Sequence, residues 1–130
     1  MKYLVILTLL LAGNSFASDS VKLDMTLTMN GRISQPKVVV NYGKAATLVQ
    51  KDAAGNGYEI SVTPTEASMP GQTGKAIRMN FVISELKSNQ KKVVSSPVVT
   101  SFMGHSATVG KKDPQGNVVF NLEILPKDVL

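Results

Sequence analysis

The chain has 130 residues with no cysteine, no tryptophan, one histidine and a formal net charge of +5. A lone histidine without cysteine removes Cys–His nucleophiles and multi-histidine metal sites, and so few aromatics leave little to stack on nucleic-acid bases. The length suits one ordinary domain rather than two very small ones.

Residues 1–17 read as a secretory signal peptide. Met1-Lys2 is a short positive start, residues 4–12 are apolar except for Thr8, and Ser15-Phe16-Ala17 places small residues at a cleavage site. The apolar run is about half of the roughly 20 residues a membrane-spanning helix needs, and no cysteine follows to carry a lipid. Cleavage after Ala17 leaves a mature chain, residues 18–130, with no transmembrane segment and a net charge of about +4. An exported chain without disulfides points to the periplasm of a Gram-negative bacterium. Its basic balance favours weak contact with anionic envelope surfaces.

The mature chain opens on period two. Val21, Leu23, Met25, Leu27 and Met29 alternate with Lys22, Asp24, Thr26 and Thr28, and Asn30-Gly31 supplies a tight turn. Residues 34–64 then recur as residues 95–126. Pro36 is answered by Pro97, Gly43 by Gly104, Ala46-Thr47 by Ala107-Thr108, and Lys51-Asp52-x-x-Gly55-Asn56 by Lys112-Asp113-x-x-Gly116-Asn117. The offset of 61 becomes 62 at Pro64 and Pro126. Residues 66–75, with Pro70, Gly71 and Gly74, read as the linker between halves. Ile77, Met79, Phe81 and Ile83 repeat the opening alternation, and the polar insertion of residues 87–92 reads as a solvated loop.

Each Asp-x-x-Gly fits a type I turn closed by a glycine bulge, with Pro114 preset for its second place. No sustained helical period appears. The expected fold is all-β, a single sandwich or small barrel over residues 18–130, built from two duplicated units (about 21–66 and 76–126) of about four strands each.

Residues 93–100, VVSSPVVT, followed by Gly104, Ala107 and Val109-Gly110, resemble a stretch of the bacterial type II and III secretion system secretins. There a strand ending near Ser-x-Pro leads through a turn to an Ala-x-x-x-Gly strand. Residues 57–64, GYEISVTP, are similar to the strand that follows. The resemblance implies a secretin-like β-domain fold standing alone in the periplasm; the chain is too short for the multi-strand gate of a pore.

The remaining chemistry is sparse. Asp24, Glu59, Glu66, Glu85 and Glu123 are scattered singly, without the paired spacing a glycosidase needs. His105 follows the turn glycine Gly104 where the first half has Lys44, and reads as solvent-facing. Met25, Met29 and Met79 fall in phase with Leu and Phe and read as core filling. With Met103 and His105 they also admit a more distant alternative, a periplasmic copper carrier. No cofactor or metal is expected, and no enzymatic activity.

Lys87, Lys91, Lys92, Lys111 and Lys112 form the densest basic group, the candidate interaction surface. Two function classes follow. One is a non-catalytic periplasmic interaction protein with a protein partner in the cell envelope, accessory to a secretion, pilus or conjugation apparatus. The other is a small periplasmic inhibitor or immunity protein that blocks an envelope-directed enzyme.

Overall fold

The period-two alternation becomes strands throughout. The computed structural model describes residues 6–11, 20–68, 71 and 75–129, and no helix occurs among them. The strands are β1 (Ile6–Leu11), β2 (Ser20–Met29), β3 (Arg32–Ser34), β4 (Lys37–Asn41), β5 (Ala46–Lys51), β6 (Gly57–Ala67), β7 (Ala76–Lys87), β8 (Gln90–Ser95), β9 (Val98–Phe102), β10 (Ala107–Lys112) and β11 (Val118–Asp128). The opening alternation is obeyed in β2, where Val21, Leu23, Met25, Leu27 and Met29 are buried and the four polar residues between them are half-exposed.

Two antiparallel sheets result, and they do not close into a barrel. The first runs β1-β5-β6-β7, with β8 and β9 sharing the far edge of β7. The second runs β10-β11-β2, with β3 and β4 sharing the far edge of β2. Each shared edge is one strand broken at a proline. Pro36 separates β3 from β4 and accepts the Met25 N–H at 2.9 Å; Pro97 separates β8 from β9 and accepts the Phe81 N–H at 2.9 Å. A proline at the break costs no ladder bond, because only its carbonyl is used.

The two halves interleave. The two duplicated units do not form one sheet each: each sheet takes strands from both. The hairpin β5-β6 joins β7 of the second half, and β10-β11 joins β2 of the first. β4 approaches β6, and β9 approaches β10, so the sheets meet along two seams. Between them lies one core that includes Leu23, Leu27, Leu48, Ile60, Phe81, Ile83, Phe120, Leu122 and Ile124, each at most 1% exposed. Each such side chain contributes roughly 1.5–3 kcal/mol on burial, which lets the fold hold without disulfides.

The register explains the change of offset. β5 and β6 pair without interruption from Ala46↔Val62 to Lys51↔Gly57. In the second half the same ladder runs from Ala107↔Ile124 to Lys111↔Phe120, then slips so that Lys112 faces Val118. Val119 is therefore an extra residue, a β-bulge, and everything after it is displaced by one. The bulge answers a steric problem solved differently in the first half. A Cβ built on Gly57, the counterpart of Val118, would lie 1.9 Å from the Gln50 carbonyl oxygen. One half omits the side chain and the other inserts a residue.

The polar insertion of residues 87–92 is not a solvated loop. Lys87 ends β7, Ser88-Asn89 form the turn with both φ angles positive, and residues 90–92 open β8. The ladder gains two residue pairs, Leu86↔Lys91 and Lys87↔Gln90, and Val94 bulges beyond them. Residues this polar form strand here because β8 is a sheet edge with little to bury, where lysine is favoured. Of the expected linker, Glu66 and Ala67 belong to β6, while residues 69–70 and 72–74 lie outside the described residues. The expected signal peptide also lies largely outside them, except for β1, whose backbone pairs with β5.

Candidate interaction surface

The β2-β3, β5-β6 and β7-β8 turns gather at one end of the sandwich and bind one another. Asp52 and Asp113 each build the same turn. The Asp52 Oδ1 accepts the N–H groups of Ala54 and Asn56 at 3.0 Å, and Asp113 Oδ1 accepts those of Gln115 and Asn117 at 3.0 and 2.9 Å. These donors, the Asn56 N–H foremost, together with Arg32 hold the Asp52 carboxyl below its ordinary value. The β5-β6 tip is clamped to the β7-β8 tip: Asn89 N–H donates to the Gly55 carbonyl, Ser88 N–H to Asn56 Oδ1, and Lys51 Nζ to Asn89 Oδ1, each at 3.0 Å. Asn30 of the β2-β3 turn donates to Glu85 Oε2 at 2.5 Å.

These ties hold open a cleft of about 730 Å³ between β3 and the β5-β6 hairpin. Arg32 and Asp52 pair at 3.4 Å across it. Tyr58, whose phenol is pushed up by burial, lines it beside Met29 and Leu86, and Tyr58 Oη donates to Gln50 Oε1. Ile33 stands on β3 at 71% exposure. The equivalent seam of the second half is bridged by a different pair. There Lys111, in the place of Gln50, donates from Nζ to the carbonyl of the bulge residue Val94 at 3.1 Å. The sequence named the turns around this cleft but could not reveal it, because nothing in a repeat says how β3 sits against the β5-β6 hairpin.

The five candidate lysines are spread over three strands, β7, β8 and β10. Lys87 borders the cleft. Lys91 and Lys92 are consecutive on β8 and so face opposite ways; Lys91 pairs with Glu59 at 3.1 Å. Lys111 spans the second seam, and Lys112 ends β10 opposite Val118. Met25, Met29 and Met79 are buried in the core, and Met103 packs against it. His105 is exposed, its ring edge-on to Phe102 with centroids 6.3 Å apart. Among the described residues no three His, Asp or Glu side chains gather as a metal group would require, and no helix is long and apolar enough to cross a membrane.

The strand edges differ in how they are defended. β3/β4 and β8/β9 are broken by proline, β8 adds a bulge and two lysines, and β10 carries Gly110, Lys111 and Lys112. All of these discourage further pairing. β5, Ala-Thr-Leu-Val-Gln-Lys, has no proline, bulge or glycine, and its free edge is occupied by β1. No protein-family model, curated protein or solved structure matches the chain.

Proposed function

We propose that the chain is an exported, non-catalytic interaction module of the Gram-negative periplasm that binds a protein of the cell envelope. The observation that carries this reading is the cleft between β3 and the β5-β6 hairpin, a concavity beside turns tied to one another by hydrogen bonds. Its mixed lining, with Ile33, Tyr58 and Leu86 beside Arg32, Asp52 and Lys87, suits a protein surface better than a single small anion. The secretin-like stretch around Pro97 favours a partner in a secretion, pilus or conjugation apparatus. The scattered lysines support weak attraction to anionic envelope surfaces.

The test is capture from a periplasmic extract with the mature protein as bait. A specific envelope protein is expected, retained by His105→Ala and lost with Ile33→Asp, an exposed substitution that leaves the core untouched. A captured enzyme whose activity falls on binding would move the assignment to the inhibitor or immunity class. No specific capture would remove the reading.

A further inference from the structure

We propose that removal of the leader converts the free edge of β5 into an acceptor for an extended apolar strand of the envelope partner, seated antiparallel where β1 lies. This rests on the interaction-module reading and names the edge that would serve it. Asp52 donates its N–H to Asn56 at the hairpin turn. Because ladder bonds alternate, Gln50, Leu48 and Ala46 bond to β6 through Tyr58, Ile60 and Val62. The N–H and C=O groups of Thr47, Val49 and Lys51 therefore point the other way, toward Leu10, Thr8 and Ile6 of β1. Cleavage after Ala17 strips all of these groups of their partners at once, on an edge whose one device against pairing is the terminal Lys51.

The register also specifies the occupant. Residues paired across an antiparallel ladder share a face, and Ala46 and Leu48 are fully buried in the core. An incoming strand must therefore carry apolar residues opposite Ala46 and Leu48, as the leader does with Leu11 and Leu9, and another opposite Gln50, where it has Leu7. A second copy pairing through its own β5 does not meet the requirement, since the register that sets Ala46 opposite Leu48 brings Lys44 opposite Gln50, and the one that sets Leu48 opposite Leu48 brings Gln50 opposite Ala46. The occupant is thus a segment of another chain, with apolar side chains at every second position over about six residues. Its N-terminal end would lie beside Lys51, at the cleft.

The experiment uses protein purified from the periplasm of cells expressing the full sequence, and a lysine-flanked synthetic peptide carrying ILTLLL as the probe. The expected result is saturable one-to-one binding, weakened at least about tenfold by Leu9→Asp in the peptide and by Val49→Pro in the protein. Proline at Val49 removes only an outward N–H and is compatible with an edge strand. Circular dichroism should show it folded, and Thr47→Pro gives the same test at a second outward donor. Absence of peptide binding, equal binding by folded proline variants, or retention of Met1 on the periplasmic protein would overturn the proposal. So would a homodimer in sedimentation that Val49→Pro dissolves. If the captured envelope protein is held equally by Val49→Pro but lost with Ile33→Asp, the interaction module stands and the strand acceptor does not.

Discussion

At the scale of single residues, the two halves place the same side chain in different surroundings. Gly55 and Gly116 hold equivalent turns at φ +82° and +87°, a region where any L-residue is strained by about 1–2 kcal/mol. Around Gly116 an added Cβ would meet nothing, whereas at Gly55 it would lie 2.7 Å from the Asn89 backbone nitrogen. Gly116→Ala should therefore cost only the backbone strain. Gly55→Ala should cost that strain plus the breakage of the clamp between the β5-β6 and β7-β8 tips, a further 1 kcal/mol or more at about one hydrogen bond lost. Denaturant unfolding of both variants measures the gap, and equal losses would show that the clamp contributes nothing.

At the scale of elements, the hairpins were the most legible part of the sequence, because Asp, Gly and Asn at fixed offsets encode the turn through local hydrogen bonds. The alternation of β2 and β7 was legible for the same reason: burial of one face demands it. What could not be read was pairing. The bonds of Met25 and Phe81 to the two prolines make Val82 the counterpart of Thr26, a match that alternation alone does not set. The insertion at residues 87–92 reads as a loop because an edge strand with both faces wet has the composition of one. The bulge at Val119 left only a one-residue change of offset, and its cause, a Cβ that does not fit at Gly57, needed the ladder itself. Deleting Val119 should restore the unbroken ladder of the first half but set the Val118 side chain against the β10 backbone. Deletion alone is expected to lower the melting temperature, and Val118→Gly in the same chain to recover part of the loss. Failure of Val118→Gly to recover any stability would mean that Gly57 and the bulge are unrelated.

At the scale of the whole molecule, interleaving decides which edges remain available. Because each sheet is assembled from both halves, the repeats cannot separate without exposing the common core, and the strands β3/β4, β8/β9 and β10, with β5 beneath β1, carry the pairing potential of the fold. Proline, bulges, glycine and lysine suppress it on three of them. β5 carries none of these but its terminal Lys51, and it is the strand with which β1 pairs. The proposal that the exported protein is a binding module whose open β5 edge is completed by a partner is checked by amide hydrogen exchange on periplasm-purified protein, read residue by residue along β5. The expected pattern is slow exchange at Leu48 and Gln50, bonded to β6, and fast exchange at Thr47, Val49 and Lys51, which become protected when the captured envelope protein is added. Protection at Thr47, Val49 and Lys51 before any partner is present, or exchange there that the partner leaves unchanged, would contradict it.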